Sequence, residues 1–177
     1  MPISFKELEK RFVPTPTYRV NVPWDYLEEN LARYSDPREG CAILNLEPDF
    51  QRCHVWTVEQ QIKYVEHTLH GGMSGREIYF NCAGWMKDWR GPFVIVDGKQ
   101  RLQAVRQFMA GKLPVFGHLR TEIEGRIGHN AQFIFCVNDL PTRAEVLKWY
   151  LEMNTGGTPH TEAEINKAKT LLAECNQ

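Results

Sequence analysis

The chain has no apolar run long enough to cross a membrane, no low-complexity block and no surplus of charge of either sign. Twenty-one Lys and Arg stand against 22 Asp and Glu, a formal net charge of -1 over 177 residues. That balance removes the global basic field that draws proteins to nucleic acid, so any basic site has to be local. Cysteine is scarce and poorly spaced for structural work: Cys41, Cys53, Cys82, Cys136 and Cys175 are odd in number and form no C-x-x-C pair. This argues against a disulfide framework and a cysteine-held zinc, and fits reduced thiols in a cytoplasm. The opening MPISFKELEKRF mixes acidic and basic residues where a secretory signal needs an apolar stretch. A cytoplasmic protein without membrane contact is the expectation.

What is there is an ordinary globular composition, with 42% hydrophobic and 11% aromatic residues, enough to fill one core. The length suits a single domain over residues 1–177. TPTYRVNV (15–22) alternates as a strand, and Pro23 is placed to open a helix, PWDYLEENLARY, at its first position. CAILNL (41–46) reads as another strand. Thr57 and Gln60 form a capping box for a helix to His70, with Val58, Ile62, Val65 and Leu69 on one face and Gly71-Gly72 as its stop.

REIYFNC (76–82) and FVIV (93–96) suit buried strands, and Leu102, Val105, Phe108 and Met109 mark one face of a helix from Lys99 to Gly111. A short strand at PVFG (114–117), a strand at QFIFCV (132–137), a helix capped by Thr142 and Glu145, and a last helix from Thr158 or Thr161 complete the chain. No regular βα repeat runs through it, so the fold class is α/β in the mixed, segregated (α+β) sense: a mixed sheet with flanking helices.

Three polar clusters carry chemistry. In VDGKQR, Asp97 follows a buried strand, where its carboxylate either caps the next helix or holds a divalent cation. Gly98 lets backbone approach a ligand, and Arg101 offers a charge-assisted fork beside a helix N-terminus, so phosphate is the natural guest. The bland alternative is a turn at Gly98 with Lys99 and Arg101 solvated. In EPDFQRCHVWT (47–57), Arg52 can reach a phosphate while Trp56 reads as core packing. NTGGT (154–158) is either an anion-friendly nest or a helix–helix turn that needs positive φ. His67 and His70 share a helical face but lack a third ligand nearby, and read as a solvated pair.

Taken in this order, PDFQRCHVW, VIVDGKQRLQAVRQF and LEMNTGGTPHTEAE resemble the N-terminal domain family of GmrSD-type modification-dependent restriction enzymes, which has a ParB/sulfiredoxin-like fold. The likeness spans nearly all of the chain. It implies a phosphate- or nucleotide-handling centre of Asp97, Gly98, Gln100 and Arg101, with Gln51 and Arg52 across from it and Asn154, Gly156, Gly157 and Thr158 closing one side. Lys99 stands where the family's Asp-Gly-Gln-Gln-Arg motif has its first Gln, which adds a cation beside the phosphates.

The resemblance further implies a nucleoside triphosphate with Mg, Asp97 as the metal-holding or water-orienting group, and Arg101 and Arg52 stabilising phosphoryl charge. Hydrolysis of the triphosphate is the expected activity, with DNA nicking as the weaker half because the net charge does not indicate DNA. Short stand-alone members of the family resemble bacteriophage proteins, which implies the host cytoplasm and a restriction or defence context. The alternative is a non-enzymatic binding module engaging a host protein, with Trp85 and Trp89 as either its contact patch or core residues. Sulfinic acid reduction is set aside, because FGHLR (116–120) has no cysteine in its turn.

Overall fold

Alternation in three apolar strands sets the architecture: each sends one set of side chains to either side of a sheet, and both sides are covered by helices. The computed structural model of the chain describes residues 7, 13–14, 16, 18–35, 43–51, 55–87, 91–128, 130–154 and 162–175. In chain order these form β1 (Tyr18–Pro23), a 3-10 turn (Trp24–Tyr26), α1 (Leu27–Arg33), β2 (Leu44–Asn45), α2 (Val58–Leu69), β3 (Glu77–Asn81) and β4 (Phe93–Asp97). There follow α3 (Lys99–Met109), a second 3-10 turn (Arg120–Glu122), β5 (Gln132–Asn138), α4 (Arg143–Asn154) and α5 (Glu162–Glu174).

The sheet order is β1-β5-β3-β4-β2. Pairing is antiparallel for β1 with β5 and β3 with β4, and parallel for β5 with β3 and β4 with β2. The fold is thus the mixed α/β arrangement expected.

On one side of the sheet Ile78, Phe80, Phe93, Ile95, Phe133 and Phe135 pack under Leu27 and Leu31 of α1, Val65 of α2, and Leu102, Val105 and Phe108 of α3. Phe93 stacks on Phe80 at 4.6 Å and on Tyr34 at 4.1 Å. Fully burying each such ring contributes on the order of 1.5–3 kcal/mol. On the other side Val94, Val96 and Tyr79 meet Leu147, Trp149 and Tyr150 of α4 and Ala168 of α5. The capping box of α2 is present, with Gln60 N donating to Thr57 Oγ1 at 3.3 Å and Thr57 N to Gln60 Oε1 at 2.9 Å.

Several sequence expectations are corrected. Pro23 does not open a helix: it ends β1 with φ -59° and ψ 142°, and the 3-10 turn intervenes before α1. β1 is an edge strand, where a proline without an N–H is tolerated. Within 41–46 only Leu44–Asn45 pairs as a strand, and residues 41–42 lie outside the described residues.

PVFG is no strand but a turn between Val115 and His118, which exchange backbone hydrogen bonds of 2.8 and 3.0 Å. Phe116 and Gly117 both take positive φ, 51° and 79°, as a two-residue primed turn requires. Of the two readings of Trp85, core is the one that holds: it is 7% exposed, packed against Tyr18, Tyr34 and Phe93. Trp89 lies outside the described residues. The helix expected from Thr158 or Thr161 is described from Glu162.

Candidate functional site

The end of β4 is shaped by a register shift. Phe80 pairs with Ile95 and Tyr79 with Asp97, so one extra residue, Val96, is accommodated in β4. Val96 turns into the apolar cluster under α4, and Asp97 is left opposite Tyr79. A bulge of this kind re-aims side chains at a strand end. Gly98 follows with φ +95°, and a Cβ there would lie 2.6 Å from Ile78 Cδ1 and 3.3 Å from Ile78 Cα. Both the backbone angle and the space call for glycine.

Helix α3 begins at Lys99 with Gly98 as its N-cap and no side-chain cap bond. Asp97 is therefore not a helix cap. Its carboxylate instead accepts from Arg101 Nη2 at 2.6 Å, an i,i+4 pair whose side chains are 42% and 20% exposed.

The second motif is stitched to this junction. Gln51 Nε2 donates to the carbonyl of Ile95 at 2.8 Å, two residues before Asp97. Gln100 Oε1 accepts from the backbone N–H groups of Val55 and Trp56 at 3.0 and 3.2 Å. Lys99 Nζ pairs with the Glu47 carboxylate. Gln51, Lys99 and Gln100 thus tie Glu47, Gln51, Val55 and Trp56 to the β4–α3 junction, bridging more than 40 residues of chain.

Trp56 fulfils its expected packing role, tilted on Tyr64 at 5.5 Å. Arg52, Gly156, Gly157 and Thr158 lie outside the described residues. Asn154 ends α4 and donates to the Tyr150 carbonyl at 2.6 Å, a bond within its own helix. Its neighbour Met153 packs in the cluster that holds Tyr79 and Val96.

Sequence reasoning missed the groups around Arg101. A Cβ on Gly75 would lie 3.3 Å from Arg101 Cδ and 3.5 Å from Nη1, so the arginine runs along the turn between α2 and β3. The Tyr64 hydroxyl donates to the Gly75 carbonyl at 2.7 Å. Burial pushes that hydroxyl up to about 12, with the Arg101 and Arg76 charges opposing the shift.

Across the sheet a polar row continues from Asp97 through Tyr79 and Cys136 to Arg19. Arg19 pairs with Glu77, to which the Tyr79 hydroxyl also donates. Desolvation holds Tyr79 above its usual range, reinforced by Cys136 and Asp97, and raises the Cys136 thiol as well. Alternation in YRVNV, EIYFN and FCVN places these residues on one face. Which strands pair, however, is a non-local fact that the pattern does not carry.

Among the described residues no group of three or more His, Cys, Asp or Glu side chains converges as a dedicated metal cage does. His67 instead shares a 3.0 Å hydrogen bond with Ser74 Oγ, and the His70 ring packs on Phe116 at 4.8 Å. Cys82 and Cys136 are buried free thiols and Cys175 is an exposed one.

A cleft of about 240 Å³ lies toward the other end of β4, lined by Phe50, Asn81, Pro92, Val94, Leu140 and Arg143 among others. Asn81 is 4% exposed, and its amide bonds both ways to the Leu140 backbone, at 3.1 and 2.9 Å. Arg143 pairs with Asp49 at 2.7 Å.

No protein-family model, curated protein or solved structure matches the chain. Among the described residues no helix is long and apolar enough to cross a membrane.

Proposed function

We propose that the β4–α3 junction binds the phosphates of a nucleoside triphosphate, and that the chain is a ParB/sulfiredoxin-like domain akin to the GmrSD N-terminal family, acting in a phage or restriction context. One observation carries the reading: Arg101 stands in the first turn of α3, against an obligatory glycine, with Val55 and Trp56 anchored to the same turn. A helix N-terminus presents backbone N–H groups and a positive dipole end, and a guanidinium beside it matches phosphate oxygens in pairs. Gly98, whose missing Cβ leaves room for Ile78 and the Arg101 guanidinium, lets α3 start hard against β3.

A single half-exposed carboxylate suits magnesium that arrives already bound to phosphates, since this ion takes one or two carboxylates plus phosphate oxygens and keeps its waters. Asp97 is the residue that would hold it, and the ion would neutralise phosphate charge. Arg101 orients the phosphoryl group, and Glu47, Gln51, Val55 and Trp56 hold α3 in place against β4. Hydrolysis is the activity we assign to the bound triphosphate; the near-zero net charge places nucleotide ahead of duplex DNA as the ligand.

Calorimetric titration with ATP, GTP, CTP and UTP, with and without magnesium, tests this, followed by phosphate release. The wild-type chain should bind at least one of them, and Arg101→Ala should lose tenfold or more in affinity, about 1.4 kcal/mol. Failure of every nucleotide to bind the wild-type chain, or equal binding by Arg101→Ala, defeats the proposal.

A further inference from the structure

Arg76 is 4% exposed, yet its guanidinium has one described partner, the Gly72 carbonyl, which accepts from Nε at 2.8 Å. Nη2 is buried and bonded to nothing among the described residues. No carboxylate of those residues lies within ion-pair distance of it either. Arginine is almost never fully buried unless paired, because stripping water from an unmatched charge costs several kcal/mol. Among the described residues the Arg76 charge is therefore unmatched, a condition that a bound anion would relieve.

The neighbourhood says what kind. Arg76 directly follows Gly75, the residue along which Arg101 lies with Nη1 3.5 Å from the position of a Cβ. Arg101 is already neutralised by Asp97, so the group of Arg76, Arg101 and Asp97 carries a surplus of one positive charge at a turn that begins and ends with positive-φ glycines, Gly71 at 92° and Gly75 at 73°. Met73, between them, is 72% exposed, so the turn whose Gly72 carbonyl holds Arg76 Nε borders solvent.

We infer that Arg76 and the 71–75 turn form a second anion-binding arm beside Arg101, built for a pyrophosphate group rather than a single phosphate. The inference rests on the phosphate reading of Arg101 and extends it: one guanidinium takes each of two adjacent phosphoryl groups, and binding supplies the charge that Arg76 lacks. The pyrophosphate group comes either free or as part of a nucleoside di- or triphosphate.

Titrations of wild type, Arg76→Gln, Arg76→Lys and Arg101→Ala with inorganic pyrophosphate, inorganic phosphate and a nucleoside triphosphate test it, each against sodium chloride of matched ionic strength. Wild type should gain thermal stability with pyrophosphate and far less with phosphate. Arg76→Gln should bind pyrophosphate at least tenfold more weakly, with Arg76→Lys between.

If Arg76→Gln melts lower but binds pyrophosphate as wild type does, Arg76 is only structural and the inference fails. Should Arg76→Gln not fold, the Arg76 Nε–H resonance of wild type decides: a shift on adding pyrophosphate supports the arm, and an unmoved resonance overturns it. Triphosphate binding that ignores Arg76→Gln sinks this inference and spares the nucleotide reading. Pyrophosphate binding that needs Arg76, with no nucleotide bound, does the reverse.

Discussion

The two ends of β4 place polar groups in opposite circumstances. At the start of the strand, beside the 240 Å³ cleft, Asn81 is buried with its amide matched both ways to Leu140, and the Arg143–Asp49 pair stands at the rim with both side chains more than half exposed. At the far end Arg101 shares a half-exposed carboxylate, Arg76 is buried with a donor unmatched among the described residues, and two glycines make room. The polar groups beside the cleft are thus matched, and those beside Arg101 are not all so among the described residues. Volume marks where an apolar group could fit, whereas unmet charge marks where chemistry is expected.

The largest effect that should separate the ends is Gly98→Val. A β-branched residue at φ +95° against Ile78 should cost roughly 2–4 kcal/mol, combining backbone strain with overpacking. Chemical denaturation measures it, and a loss below about 1 kcal/mol would mean that β4 and α3 join more loosely than described.

Beside the cleft, Asn81→Leu strands both Leu140 backbone groups and should cost about 2 kcal/mol while leaving nucleotide binding intact. Impaired nucleotide binding by a folded Asn81→Leu chain would erase the distinction between the ends.

The smallest effect at neutral pH is Tyr64→Phe, about 1 kcal/mol for one lost hydrogen bond. Its signature lies in alkali. Burial raises the folded-state value to about 12, above the ordinary value of 10.0, so the neutral hydroxyl is favoured by folding. That contribution is present below pH 10 and is lost as pH rises toward 12. Melting temperature should therefore fall more steeply across this window in wild type than in Tyr64→Phe. Parallel curves would show that the hydroxyl is not held as described.

Local signals in the sequence carried much of this. The capping box at Thr57 and Gln60, the apolar stripe of α3 and the run FVIV are decided by neighbours a few residues away, and each is where its pattern put it. Pro23 and the PVFG turn departed from the reading because edge position and the positive φ at Phe116 depend on tertiary context.

The site was half legible. Asp97 and Arg101 stand four apart, the spacing of a helical ion pair, yet the sequence reading gave them independent duties. Since each holds the other, Asp97→Ala also releases Arg101, and only a double-mutant cycle separates their contributions. Arg76 drew no notice at all, because nothing in GREIYF distinguishes a buried unmatched arginine from a solvated one at a strand start.

The most direct test of the central claim is to follow backbone amide resonances while the chain is titrated with the magnesium complex of the nucleotide that binds. The account predicts that shifts concentrate at Gly98–Leu102, at Val55 and Trp56, and in the 71–76 turn, while Asn81, Leu140 and Thr142 stay still. Shifts concentrated at Asn81, Leu140 and Thr142, with Gly98–Leu102 unmoved, would contradict it and move the ligand to the cleft at the other end of β4.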